Sequence, residues 1–330
     1  LTSLYPLIRN ETVKIWKKRR FHVIILILLV LIPIFTYAQM RVAQTQLKQT
    51  GSSDWRVATQ TRVQDYTSRL SSPRIPEEWK ESIKVEVQRL QYYLDRDIDP
   101  QAPNGVTFTR VFLANSINLF LPLMVMVIAS DMVSSEHATG TIKLLLTRPV
   151  RRWKVLFSKL VALIFYVSMI VLATTVVSYL ISGLVFGFSG WTHPVLTGFR
   201  INGSEVDTSR IQVVPQWLFL LMTAGLAWFS ALVVAILSLM VSVLIRSTAA
   251  GMGVMLAAII AGTILSNMVS SWETAKYFFM VNLETTVYLN GTVPPIKGMT
   301  LPFSLAVLSV WAACALYVSF RVFTRKDVLN

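Results

Sequence analysis

The chain has 330 residues, of which 54% are hydrophobic and only 15% charged, with a mean hydropathy of +0.56 and a formal net charge of +14. That balance excludes an ordinary water-soluble protein and predicts an all-α, polytopic membrane protein. The positive charge does not predict nucleic-acid binding, because the Lys and Arg residues cluster beside apolar runs, where anionic membrane lipids and the positive-inside bias account for them.

Residues 1–20, LTSLYPLIRNETVKIWKKRR, set Leu1, Leu4, Tyr5, Ile8, Thr12, Ile15 and Trp16 near one helical face, with the basic residues massed at the end. The pattern predicts an interfacial amphipathic helix on the inner leaflet, its face interrupted by Thr12 and Glu11. Residues 21–38 form a first span of about the 20 apolar residues that the hydrocarbon requires. Its KKRR lead resembles that of a signal peptide, but no small-residue cleavage site follows, so the span is expected to be retained.

Residues 39–110 are too polar to span and too periodic to be a linker. In PEEWKESIKVEVQRLQYYL, Trp79, Ile83, Val87, Leu90 and Leu94 mark one helical stripe, started by Pro76 and two glutamates. The run DWRVATQTRVQDYTSRL is also helical in pattern, and SSPRIP separates the two, so an extracytoplasmic helical hairpin is expected. Residues 111–130 are the second span, with Asn115, Ser116 and Asn118 beside Pro122. Polar span residues either glue helices together or line a path, and both roles stay open for Asn115, Asn118 and Asn267.

Residues 131–160 form a long connection, followed by a third span at 161–186, a loop at 187–216, a fourth span at 217–245 and a turn at 246–248. The fifth span, 249–269, carries Ala249, Gly253, Ala257 and Ala261 every four residues, a helix-packing stripe that fits contact within the bundle or across a dimer. Residues 270–300 read as an aromatic-rich re-entrant or interfacial segment, 301–323 as the sixth span and 324–330 as a short basic tail.

Six spans put both termini on one side. That side carries sixteen Lys and Arg residues against four on the other, once the long 39–110 segment is discounted, since its eleven bases are offset by nine acids. The termini and the 131–160 connection are therefore expected in the cytoplasm, in a plasma membrane. Within the spans no ionisable residue lies near mid-depth, which speaks against proton-driven transport. The three histidines, His22, His137 and His193, have no metalloprotease spacing, and there is no GxxxxGK[ST] phosphate loop. Cys314 is the single cysteine, so no disulfide within the chain and no thiol metal site is possible. The expectation is a non-catalytic chain with no cofactor of its own.

The stretch SSEHATGTIKLLLTRPVRRWKVLFSKL, residues 134–160, combines a helix start at Ser134 or Ser135 with Glu136 in the first turn, a turn at Gly140, and an apolar patch of Ile142, Leu144, Leu145 and Leu146. Pro149 ends it and RRWK leads into the next span. A short helix and an apolar knob flanked by charge form a shape that a soluble partner can grip; headgroup binding by the arginines is the alternative.

Glu136, Gly140, Thr141, Ile142, Lys143, Leu145, Leu146 and Pro149 together resemble the cytoplasmic loop after the second span of ABC-2 type permeases, the membrane subunits of ATP-binding-cassette exporters. The layout of the whole chain is similar too, most of all to the bacitracin-type drug, sodium and copper-maturation export subgroup. The resemblance implies that this loop is a coupling helix seated on a separate nucleotide-binding ATPase, which holds the ATP and Mg, and that two permease halves make one transporter, as a homodimer or beside a related permease. Glu136, Gly140, Thr141, Ile142 and Leu145 would then contact the ATPase, Arg148 would hold the loop, and Arg246 would mark a second contact. The expected role is export of an amphipathic, drug-, peptide- or lipid-like substrate. A membrane sensor or resistance scaffold, whose outer hairpin binds a ligand without transport, is the alternative.

Overall fold

A computed structural model describes residues 4–50, 54–141, 150–202, 204–268 and 272–325. Helix α1 (Leu4–Lys17) leads into α2 (Arg20–Thr50), which runs well past the predicted span boundary and so carries the chain from the α1 end of the bundle to the opposite end. There α3 (Trp55–Leu70) and α4 (Glu77–Asp95) pack against each other. The Asp54 side chain caps α3 by accepting from the Arg56 backbone N–H. The buried positions of α4 are Val85, Leu90 and Tyr93, whereas Trp79 is exposed, so the real face is rotated from the predicted stripe.

The second span is broken. Helix α5 (Gly105–Ser116) and α6 (Phe120–Ala129) meet at a 61° bend. Pro122 supplies the cause: it has no N–H to offer the Asn118 carbonyl, and its ring crowds that carbonyl. The short helix α7 (Ser134–Ala138) follows, and then α8 (Arg152–Phe186), which begins nine residues before the predicted third span. Helices α9 (Gln216–Leu244), α10 (Thr248–Met268) and α12 (Leu301–Arg325) agree closely with the predicted fourth to sixth spans. Among the described residues five helices are long and apolar enough to cross a membrane, six if the bent pair counts as one span.

The main core lies among α2, α5, α6, α8 and α9, with Leu28, Ile32, Leu113, Leu121, Leu163 and Ala235 fully buried. Close approach is concentrated at Gly105 and Gly183, where a Cβ on Gly105 would stand 3.0 Å from the Gly183 Cα, and where the Gly105 N–H donates to the Gly187 carbonyl. The predicted packing stripe is elsewhere: Gly253, Ala257 and Ala261 are exposed, and a Cβ on Gly253 would meet nothing within 4 Å among the described residues. Within the described chain those residues do not pack helices together.

The 187–216 segment is not a plain loop, and the fold is not purely helical. It contains β1 (Pro194–Thr197) paired antiparallel with β4 (Gln212–Pro215), and β2 (Arg200–Asn202) paired with β3 (Glu205–Asp207), two nested two-stranded ribbons. Strands of three or four residues leave too little alternation to be read from sequence. Leu196 and Phe199 pack with Tyr93 and Ile98, and Gln88 continues the ribbon by donating to the Ser204 carbonyl and accepting from the Val206 N–H.

Residues 272–300 fold into two 3-10 turns, Glu273–Tyr277 and Phe279–Asn282, and the short α11 (Val287–Asn290). This segment dips into the bundle. The Ser230 hydroxyl, fourteen residues along α9 from Gln216, donates to the Leu283 carbonyl at 2.9 Å, which sets that carbonyl about 21 Å down the helix at 1.5 Å per residue.

Candidate functional site

At the α1 end the chain gathers charges that the sequence separates by as many as 148 positions. Lys159 lies in the third turn of α8 and is wholly buried. Its ammonium donates to Glu11 Oε2 at 2.8 Å, to Glu136 Oε1 at 2.8 Å and to the Met132 carbonyl at 3.0 Å, which saturates all three of its donors. Lys14 closes the cluster from α1, at 2.9 Å from Glu11 and 3.0 Å from Glu136. Burial opposes the charge on Lys14, but the two carboxylates outweigh it and hold its pKa above the ordinary 10.5.

A second charge group stands beside the first. Asp131, at the end of the broken span, meets Lys18 at 2.7 Å and Arg20 at 2.8 Å, and Arg20 also donates to the Val127 carbonyl. The first group is neutral as a set, two lysines with two glutamates, and pairing of that kind is what permits charged side chains to be buried at all. The second sets one buried aspartate against two cations that stay in partial contact with water, so its excess positive charge remains hydrated. The Tyr166 hydroxyl fixes the register of α1 by donating to the Thr12 carbonyl at 2.8 Å.

Hydrogen bonds tie the two connections of this end together. Ser242 of α9 accepts from the backbone N–H groups of Val133 and Ser134 at 3.1 and 3.0 Å and donates to the Ser130 carbonyl. The hydroxyls of Ser134 and Thr248 are 2.8 Å apart, and Thr248 also reaches Asp131 at 3.4 Å. The base of the 131–160 connection is thereby joined to α1, α8, α9 and the start of α10. Beyond that base the chain turns outward: Ala138, Thr139, Gly140 and Thr141 are exposed, and Gly140 has φ +70, a left-handed conformation that favours glycine.

The sequence-predicted residues divide accordingly. Glu136 is not on an exposed contact surface; it is buried against Lys159 and Lys14, because the third residue of α7 points into the bundle. Gly140 and Thr141 are exposed at the tip, while Ile142, Leu145 and Arg148 lie outside the described residues. Arg246 sits in the short turn between α9 and α10 and is engaged in an interaction of its own. Asn115 and Asn118 are both at the break of the second span, whereas the Asn267 side chain lies outside the described residues.

Three features went unread in the sequence. Glu11 looked like a flaw in an amphipathic face and is instead a partner of Lys159. Lys159 looked like a flank of the third span and is inside its helix. Glu284, in the dipping segment, directly follows Leu283, whose carbonyl accepts from Ser230 of α9, so an acid reaches bundle depth although the spans themselves carry none there. The sequence signal for the first two was slight: Glu11 is the one acid among the bases of α1, and Lys159 is the last of three bases before a long apolar run in α8.

Among the described residues no three His, Cys, Asp or Glu side chains converge where they could hold a metal. The charge network and the Ser242 and Thr248 hydrogen bonds together tie the loop base to α1, α8, α9 and α10.

Two proteins of Bacillus subtilis (strain 168) are similar to this chain over most of its length. YhcI, called an uncharacterized protein, is 26% identical over 281 residues, 84% of this chain and 86% of its own. YdbK, called an uncharacterized membrane protein, is 28% identical over 215 residues, 64% of this chain and 80% of its own. With five or six candidate spanning helices and such a relative, the chain is a multi-pass membrane protein. A family model described as "Protein of unknown function (DUF2705)" matches residues 80–329, and the chain belongs to that family.

Proposed function

We propose that this chain is the permease subunit of an ATP-driven exporter of the ABC-2 type, with its α1 end and both termini in the cytoplasm of a plasma-membrane protein. A separate nucleotide-binding ATPase supplies ATP and Mg, and a second permease half completes the transporter. The exposed Gly253, Ala257 and Ala261 stripe on α10 supports a partner half, since small residues that pack nothing within the described chain suit close approach from outside it.

The observation that carries this reading is the meeting of the two connections that the resemblance assigns to the ATPase. Ser134, at the base of the first, and Thr248, at the end of the second, touch at 2.8 Å. A push on the exposed tip at Thr139–Thr141 reaches α7, passes through Glu136 and Lys159 to α8 and α1, and through Ser242 and Thr248 to α9 and α10. That moves several spans as one unit, as alternating access requires.

The test is purification of the tagged chain in mild detergent from its native host, identification of co-purifying subunits and an ATPase assay. A stoichiometric nucleotide-binding subunit, lost or uncoupled on Gly140→Val, is the expected result. A chain that purifies with a kinase, or with no partner, overturns the exporter reading and favours the sensor.

A further inference from the structure

Two cavities lie side by side toward the opposite end of the bundle. The upper one, about 450 Å³, lies between α2, α3 and the turn before α5, with Trp55, Arg62, Gln101 and Asn104 in its walls. The lower one, about 370 Å³, runs between α2 and the broken second span, walled by Leu31, Phe35, Phe112, Leu119 and Phe120. Gln39, Phe108 and Val111 line both, so the polar chamber adjoins the apolar groove across these three side chains. Each is within the size range of sites for small organic ligands.

Charge in the upper chamber is uneven. Asp54 is engaged by the Arg56 N–H at 3.0 Å and by its guanidinium at 3.3 Å. Asp99 accepts from the Gln101 N–H at 2.9 Å, and burial pushes its carboxyl above the ordinary 3.8, against the pull of that N–H, His193 and Arg56. Arg62, by contrast, meets only the neutral Gln101 oxygen, at 3.4 Å, and no carboxylate among the described residues. A cation with no carboxylate on it among the described residues thus stands in the wall of the chamber that adjoins a hydrocarbon-lined groove. The groove itself exists because Pro122 breaks the second span, which turns Leu119 and Asn115 toward the open side.

We propose that these adjoining cavities bind a single-chain anionic amphiphile, its acidic head at Arg62 and its hydrocarbon tail in the groove between α2 and the α5–α6 break. An anion gains a charge-assisted hydrogen bond there, and the tail gains apolar contact along Phe35 and Phe112. The site is the cargo site of the exporter if that reading holds, and it assigns the cargo class; binding itself requires no ATPase.

The test measures binding of fluorescent lysophosphatidylglycerol to the full chain in nanodiscs of neutral lipid, with a neutral single-chain glucoside and diacyl phosphatidylglycerol as competitors. Saturable binding is expected, about tenfold weaker in Arg62→Gln and retained in Arg62→Lys, since a hydrogen bond to a charged group is at stake. Asn115→Trp, which fills the groove from an exposed position, is expected to block it, while Asn115→Leu keeps it. Preferential competition by the single-chain acid supports the assignment, and equal competition by the diacyl lipid marks a bulk-lipid contact and overturns it. Unchanged binding in Arg62→Gln and Asn115→Trp also overturns it. Loss of binding with the ATPase still co-purifying sinks the amphiphile alone; binding retained with no ATPase partner sinks the exporter reading alone.

Discussion

Replacing Lys159 by Met removes the ammonium and keeps most of the side-chain volume. Glu11 and Glu136, 5% and 8% exposed, then lose their shared partner and keep only Lys14, whose side chain is 38% exposed and therefore partly hydrated. Breaking a buried ion pair from one side costs about 3–5 kcal/mol, and here two buried carboxylates are left to share one cation, with one charge in excess and little water to screen it. The loss is expected as a shift in the midpoint of SDS-driven unfolding in mixed micelles, followed by tryptophan fluorescence. A triple variant, Lys159→Met with Glu11→Gln and Glu136→Gln, removes the stranded charges and is expected to recover most of the loss, as buried pairs replaced by neutral groups often do. If Lys159→Met stays within about 1 kcal/mol of the parent, the value of an exposed pair, the network is hydrated and the argument for rigid transmission fails. A triple variant no better than the single one refutes it equally.

Gly140→Val is expected to impair partner coupling while the protein still inserts: a Cβ there meets nothing within 4 Å among the described residues, yet φ +70 is strained for a β-branched residue, so tip geometry changes without disturbing the core. Size-exclusion behaviour and ATPase stimulation measure the two effects separately. Gly105→Leu is expected to destabilise by about 1–3 kcal/mol or more, since its Cβ would stand 3.0 Å from backbone atoms of Gly183 and Gly187 that cannot swing away; thermal unfolding in detergent reads it. Asp99→Asn is expected to raise the melting temperature at neutral pH. Its folded pKa is raised above 3.8, chiefly by burial, so its favourable contribution is present below 3.8 and is lost as pH rises through the folded value. The advantage of Asn is therefore expected to disappear in scans below 3.8. Ser134→Ala and Thr248→Val are expected to be non-additive by about 0.5–1.5 kcal/mol in a double-mutant cycle, the net worth of one hydrogen bond.

Long apolar periodicity made the helices of the predicted fourth, fifth and sixth spans readable to within a residue or two, because hydrocarbon imposes both length and composition on a crossing helix. Helix ends outside hydrocarbon were less legible. Neither the continuation of α2 to Thr50 nor the early start of α8 at Arg152 is marked by an apolar boundary, since a helix that leaves the membrane keeps its backbone bonds whatever its side chains. The bend in the second span was in principle visible at Pro122, but its consequence, an open groove beside Asn115, depends on where α2 lies.

By itself the sequence determined that this chain lives in a membrane, that it contributes several long apolar helices and where its basic residues gather, because these depend on local composition alone. Tertiary structure decided that Glu11, Glu136 and Lys159 form one buried cluster, that Ser134 meets Thr248, and that Arg62 stands in the wall of a chamber beside a groove. Each of these joins residues from separate helices, and a charge acquires its meaning only from the partner that packing brings within about 3 Å of it.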